Sequence, residues 1–404
     1  MNYIFLLFSK LIYLSKIIFI NFLILYVSLL LLEIGFQIKN NNFLDDNRFS
    51  YREKILGNYE TDVHLSYYPY KLLSSNQDLI PLSGISNSKS ILCSYDNNDS
   101  KLSFYSYQSD KYGFNNPNND INFDIAVIGD SYVHGLCVEP NFNLVNQIIK
   151  SNYQVKNLGM SANGPLLEYA TYREYADEFN FQKLIWVLNP DNDFYDFSNE
   201  LNDTTLNRYL EDSNYKQQLI LKNETKDKLI LEYFNYDGRR LKEYFKHYHL
   251  DLKFLRKSIS MIYKNYIFNL KDDSMNSTLE KKSVHFIGKE QLDLINSIFI
   301  DLQQRVFRSD RELLVVINAI DPFYTFSDDL KVRQDLGVII NNKNYIKSFL
   351  KKNNISFIDY DNYIYSIYSK DDIDKVFKKT KNGYDHYTNY GYQILSEKII
   401  SYFR

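Results

Sequence analysis

Cysteine is nearly absent from this chain: Cys93 and Cys137 are the only two in 404 residues. They are too few to make a metal site and too far apart for a Cys-x-x-Cys motif. The six histidines are scattered, and the closest pair, His247 and His249, would point apart at i,i+2 on a helix. No metal and no cofactor is expected. Charge of one sign is lacking too. A net charge of −3 removes any global argument for a nucleic-acid or acidic partner. Tryptophan (1), proline (7) and glycine (13) are few, against 37 tyrosines and 28 phenylalanines. The tyrosines are spread over the whole chain and read as compositional background rather than as a site.

The length suits one large domain or two ordinary ones, and 45% apolar residues suffice for a core. From Leu11 to Ile38 the chain is almost wholly apolar. Residues 17–37 are long enough for one membrane-spanning helix, which takes about 20 residues. The run is too long for a cleaved signal peptide, and Phe36-Gln37-Ile38-Lys39 offers no small-x-small cleavage site. Lys10 and Lys16 precede the span while Lys39, Arg48, Arg52 and Lys54 follow it, so charge counting does not orient it. Residues 1–40 are therefore expected to be an anchor in the lipid bilayer. Residues 41–120, polar and turn-rich, are expected to be a lead-in that packs on the next domain, with an extended run at Leu102–Tyr107.

From residue 121 the elements alternate. Buried strands are expected near Ile125–Ile128, Tyr153–Asn157, Lys183–Leu188, Leu313–Ala319 and Ile355–Tyr360. Helices are expected at Phe142–Lys150, Leu166–Phe179, Lys289–Arg308, Ile339–Asn353 and Tyr392–Tyr402. This rhythm implies a parallel sheet covered by helices, an α/β fold. Residues 200–290 break it with a charged, mostly helical insertion that includes Leu241–Tyr266. No internal repeat is visible.

The central stretch is Ile125-Ala126-Val127-Ile128-Gly129-Asp130-Ser131-Tyr132. A strand that stops at Gly-Asp-Ser places Ser131 where strand hands over to helix, at the carboxyl edge of the sheet where such folds put their chemistry. Backbone N–H groups and the helix dipole there stabilise developing negative charge. Three further blocks fall at strand ends or in the last loop. They are Asn157 to Pro165 with Gly159, Ala162 and Gly164; Asn189-Pro190-Asp191-Asn192-Asp193; and Tyr384-Asp385-His386 ahead of the final helix.

The order of these four blocks resembles the SGNH (GDSL-type) hydrolase superfamily. The flanks Asp110 to Pro117 and Leu31 to Phe36 resemble its bacterial membrane-anchored members. The resemblance implies a three-layer α/β/α fold over residues 121–404 and a serine nucleophile that cleaves esters. By position, Ser131 is the nucleophile and His386 the general base. Asn192 lends its side-chain amide to the oxyanion, and backbone N–H groups of Ser131 and of the second block, at Gly159 or Ala162, complete the hole.

Two positions depart from the family pattern. Ala162 stands where the second-block glycine is usual, which is acceptable unless φ must be positive. Gly383 stands where an Asp three residues before the histidine is usual. A backbone carbonyl near Asn382 or Gly383 then orients His386, with Asp385 as the alternative, although adjacent side chains diverge. His134, about one helical turn past Ser131, is the rival base. In an extracytoplasmic domain Cys93 and Cys137 would bridge and pin the lead-in beside the site; two buried free thiols are the other reading. The resulting expectation is a single-pass membrane esterase with a periplasmic catalytic domain. It acts on O-acyl esters of an envelope or exported carbohydrate. An O-acyltransferase of the same class, or an inactive anchored binding protein, fits the same residues.

Overall fold

A computed structural model describes residues 2–39, 63–73, 79–96, 102–116, 123–234, 288–380 and 383–404. The chain divides into two units, residues 1–61 with 232–278 and residues 62–231 with 279–404. In the first, α1 (Asn2–Lys39) is one unbroken helix. Its segment Tyr13–Leu32 has mean hydropathy 2.2 over 20 residues with none of it buried, so it is long and apolar enough to cross a bilayer. Two polar side chains inside it turn back on the helix: Asn21 donates to Ile17 O (3.0 Å) and Ser28 to Ile24 O (2.8 Å). Each thereby spends a donor on the backbone one turn back.

The second unit is built on a five-stranded sheet of order β5-β4-β6-β7-β8, parallel throughout. The strands are β4 (Ile125–Gly129), β5 (Val155–Asn157), β6 (Lys183–Leu188), β7 (Glu312–Ile317) and β8 (Ser356–Asp359). The near-continuous apolar runs of β4, β6 and β7, rich in Val, Ile and Leu, suit strands buried on both faces. Ile125, Val127, Ile185, Val187, Leu314 and Val316 face one layer, formed by α3 (Leu144–Ile149), α11 (Tyr360–Ile367) and α12 (Asn389–Phe403). Ala126, Ile128, Leu184, Trp186 and Val315 face the other, where α4 (Pro165–Glu174) and α8 (Lys289–Arg308) lie. The fold is thus the three-layer α/β/α arrangement.

Because β4 lies between β5 and β6, the connections leave it in opposite directions. Such a switch point opens a crevice at the carboxyl ends of the two neighbouring strands. Ser131 follows β4 and Asn189–Asn192 follow β6, so the crevice is where the sequence blocks converge.

The remaining elements surround this core. The lead-in carries a small sheet, β1 (Val63–Leu65) parallel to β2 (Lys89–Asp96), which is antiparallel to β3 (Leu102–Gln108). Short α2 (Ser131–His134) follows β4, and α5 (Asp193–Glu200) and α6 (Thr204–Glu211) follow β6. A helix α7 occupies 223–234, while α9 (Pro322–Thr325) and α10 (Leu330–Lys352) join β7 to β8. The expected helix at Leu241–Tyr266 lies outside the described residues. One expectation changes: the segment before the last helix is not a loop but a hairpin, β9 (Phe377–Thr380) with β10 (Gly383–Tyr387).

Candidate active site

Each residue of Gly129-Asp130-Ser131 has a local reason to be there. At Gly129, φ is +156°, and a Cβ would lie 2.6 Å from Val133 Cγ2 and 2.9 Å from Val187 O, so only glycine lets the strand turn so tightly against its neighbours. Asp130 is fully buried and caps α2, its Oδ1 accepting from Tyr132 N at 2.9 Å. Ser131 is then the first residue of α2, where backbone N–H groups have no acceptor inside the helix.

His386 arrives from the other end of the chain. Regular pairing in the hairpin joins Tyr384 to Lys379 and Tyr387 to Phe377, with a shift of register between them. Such a bulge re-aims side chains, and His386 lies within it. Its neighbour Tyr387 is buried, donates its hydroxyl to Asn318 Oδ1 and accepts from Ala319 N (3.2 Å). That anchor holds the hairpin to the end of β7. The Tyr132 ring packs against both, 4.7 Å from the His386 ring and 4.9 Å from the Tyr387 ring between centroids. The result is a 2.7 Å contact between His386 Nε2 and Ser131 Oγ, 255 residues apart in sequence. At that distance the imidazole can take the hydroxyl proton.

The Asp130 carboxylate lies beneath this pair, its Oδ2 3.5 Å from Ser131 Oγ. Burial raises its pKa; the Tyr132 amide, the charge on His386 and the Asn189 and Asn192 side chains pull it back down. Asn189 and Asn192 are bonded to each other, Asn189 Nδ2 donating to Asn192 Oδ1 at 2.5 Å. The turn carrying them is fixed from behind by Asp193, whose Oδ2 accepts from Asn189 N at 2.6 Å. Burial, and then the Glu168 charge, hold the Asp193 carboxyl well above the usual range.

The expected oxyanion donors separate into different situations. Gly159 corrects the expectation, since its N–H is committed to Asn157 Oδ1 at 2.9 Å. Its lack of a side chain serves packing instead: a Cβ there would sit 2.5 Å from Val133 Cβ and 2.7 Å from His134 N. Ala162 does adopt a positive φ, +61°, so the condition under which alanine is unfavourable is met. Asn192 adjoins Asp130, and its amide nitrogen donates to Asp196 Oδ2 at 2.8 Å. Asp385 belongs to β10, but its side chain and Asn382 lie outside the described residues.

His134, the rival base, is fully buried. Its Nδ1 lies 2.8 Å from Ser161 Oγ and accepts from Ser161 N at 3.2 Å, while Nε2 lies 3.2 Å from Tyr107 Oη. Burial lowers its pKa to about 3, so the ring is neutral and faces the second block rather than Ser131. It ties α2 to β3 of the lead-in and to the loop before Ala162.

The lead-in holds the second block further. Asn116 exchanges bonds with Asn157, accepting from its N (2.8 Å) and donating to its O (3.0 Å). Asp110 Oδ2 accepts from Asn116 Nδ2 (2.9 Å) and pairs with the buried Lys156 ammonium at 2.7 Å. Asn157 Nδ2 in turn donates to Val133 O, 2.8 Å away. Cys93 of β2 and Cys137, three residues beyond α2, are joined in a disulfide with Cα atoms 5.5 Å apart. Among the described residues no cluster of His, Cys, Asp or Glu side chains is arranged to hold a metal.

Sequence reasoning singled out Asp110 to Pro117 only as a flank. Its role as a clamp on the block carrying Asn157 has one signal in the sequence, the side chain-bonding residues Asp110, Asn115 and Asn116 close together. Tyr107 and Tyr387 had none, being lost among the many tyrosines.

No protein-family model matches the chain, and no curated protein matches it. Among solved structures it is similar to a protein assigned to the G-D-S-L lipolytic family from Desulfitobacterium hafniense DCB-2, at 10% identity and TM-score 0.35, covering 69% of this chain and 98% of that one. It is also similar to a protein assigned as an acylhydrolase from Bacteroides fragilis NCTC 9343, at 12% identity and TM-score 0.33, covering 72% and 90% respectively. At these values both likenesses concern the chain path alone.

Proposed function

We propose that the chain is a serine ester hydrolase of the SGNH type, held at a membrane by α1 with its catalytic unit outside the cytoplasm. The observation that carries this reading is the Ser131 Oγ to His386 Nε2 contact of 2.7 Å at the carboxyl edge of the parallel sheet. Ser131 Oγ attacks the ester carbonyl carbon as His386 Nε2 takes its proton. The carbonyl oxygen becomes an oxyanion, met by the N–H groups of Ser131 and Ala162 and by the Asn192 amide once it swings from Asp196. His386 then gives the proton to the departing alkoxide, and water repeats the sequence on the acyl-serine. Each donor to such an oxyanion is worth roughly 10²–10³ in rate.

The substrate read for this site is an O-acyl ester on an envelope or exported carbohydrate, carried over from the resemblance. Its disulfide suits an oxidising compartment, which supports the extracytoplasmic assignment. Fluorophosphonate labelling of the full chain in detergent tests the chemistry. Wild type is expected to form an adduct at Ser131, with none in Ser131→Ala and strongly slowed labelling in His386→Ala. A wild-type protein that takes no Ser131-dependent label is instead a binding or assembly protein, and the hydrolase reading falls.

A further inference from the structure

Beside the proposed catalytic groups lies a cavity of about 270 Å³ lined by Tyr70, Leu73, Ala162, Asp196, Asn199, Glu200 and Asn202. Two of these belong to or touch the catalytic crevice. Ala162 is the second-block residue next to Ser161, and Asp196 holds the Asn192 amide. The others come from two sources, α5 with the turn after it, and the lead-in just after β1. The volume sits at or below the lower end of ordinary small-ligand pockets, about 300–1,000 Å³, so it suits one ring rather than an extended chain.

The lining chemistry is specific. Among the described lining residues there is no Lys, Arg or His. Asn199 and Asn202 are exposed and each spends one amide N–H on its own helix, to Tyr195 O and Ser198 O at 3.2 Å each. Their Oδ1 atoms and second N–H groups remain for a ligand. Asp196 adds an acceptor. Glu200 is buried and occupied, accepting from Gly164 N (2.6 Å) and Leu166 N (2.9 Å). It shapes the wall and ties the start of α4, just after the Ala162 loop, to α5. Tyr70 supplies an aromatic wall, stiffened by the Lys71 ammonium 4.5 Å from its ring centroid.

An acyl chain would cover the remaining polar atoms of the Asn199 and Asn202 amides without giving them partners, which is costly. An anionic group would meet the Asp196 carboxylate with no Lys, Arg or His among the described lining residues. A neutral, hydroxyl-bearing ring does neither: its hydroxyls donate to Asp196 and the two Oδ1 atoms, and its C–H face lies on Tyr70. We propose that this cavity binds a single neutral sugar ring, the alcohol part of the ester, with Tyr70, Asn199 and Asn202 setting specificity. The acyl group therefore lies away from the pocket. This assignment rests on the ester-hydrolase reading above for its catalytic consequence, but the binding itself does not require turnover.

The test compares two acetate esters on the full chain in detergent, methyl 6-O-acetyl-glucoside and p-nitrophenyl acetate, with Asn199→Leu, Asn202→Leu and Tyr70→Ala. Each substitution is expected to raise KM for the glucoside ester about three- to tenfold, the worth of one hydrogen bond or ring contact. kcat for the glucoside and all constants for p-nitrophenyl acetate stay within about twofold of wild type. Saturation-transfer NMR of the same glucoside ester on Ser131→Ala reads binding without chemistry, and the signal is expected to weaken in each double variant. If the glucoside KM is unchanged, or both esters are lost in parallel, the pocket assignment is overturned while the hydrolase reading stands. If wild type turns over neither ester and takes no Ser131-dependent fluorophosphonate label, that reading fails. The NMR signal, present and sensitive to Asn199 and Asn202 or not, then decides the pocket separately.

Discussion

His134 Nδ1 accepts from the backbone N–H of Ser161 at 3.2 Å and lies 2.8 Å from its hydroxyl, which fixes the loop carrying Ala162 to the helix that begins at Ser131. A buried neutral ring thereby links the proposed nucleophile to the proposed oxyanion donor. Replacing it by Phe fills the space but removes both bonds. His134→Phe is expected to lower kcat more than KM on p-nitrophenyl acetate, while His386→Ala abolishes turnover. The ratio of the two kcat losses checks that His134 positions and does not act as the base.

His134 also has a pH signature. Its folded pKa is about 3 against an ordinary 6.5, so its contribution to stability is present above pH 6.5 and is lost as pH falls towards 3, at up to about 1.4 kcal/mol per unit. Glu200 runs the other way: burial raises it from 4.5 to about 8, so its contribution is full below 4.5 and lost as pH rises through 8. Urea midpoints measured from pH 7 to pH 4 should therefore fall less steeply for His134→Phe than for wild type. The difference between the two curves isolates the histidine from the acids that titrate in the same range.

Ala162 sits at φ +61°, where a Cβ costs roughly 1–2 kcal/mol. Part of this is returned by the chain freedom that glycine loses on folding. Ala162→Gly is expected to stabilise the protein by about 0.5–1 kcal/mol, read as a rise in urea midpoint. Turnover should persist because the N–H remains.

Gly159→Ala should do the opposite. Its new Cβ would meet Val133 Cβ at 2.5 Å and the His134 backbone N at 2.7 Å. Neither can move without displacing α2. A loss of about 1–3 kcal/mol, the usual range for overpacking, is expected in denaturant melts, together with weaker fluorophosphonate labelling.

The Cys93–Cys137 bridge spans 44 residues, for which chain-entropy arguments give about 4 kcal/mol of stabilisation. Cys93→Ser is expected to lower the melting temperature of the full chain, as is dithiothreitol on wild type but not on the variant. A melting temperature indifferent to reductant would deny the bridge a structural role.

The sheet was legible because its strands are short, apolar and bounded by turn residues. Lys183–Leu188 and Lys289–Arg308 fall where periodicity sets them. The end of α4 was not, since Tyr175 leaves the helix for a 3₁₀ turn that packs on the core. The β9–β10 hairpin was missed for a related reason: its polar, Tyr-rich sequence has no two-residue alternation, and its register is set by Tyr387 reaching Asn318.

By itself the sequence determined the α/β rhythm, the long apolar helix at the N-terminus, and the four blocks on which Ser131, Asn192 and His386 were chosen. Those signals are local, carried by periodicity, turn chemistry and run length. Only the tertiary structure brought His386, and not His134, to within 2.7 Å of Ser131 Oγ, because burial and approach to Ser131 depend on a hairpin packed 255 residues away. It likewise committed the Gly159 N–H to Asn157 Oδ1 and put Ala162 in a left-handed conformation. A backbone N–H has no sequence signature for what it will bond, and φ at one residue is fixed by the neighbours that the fold brings to it.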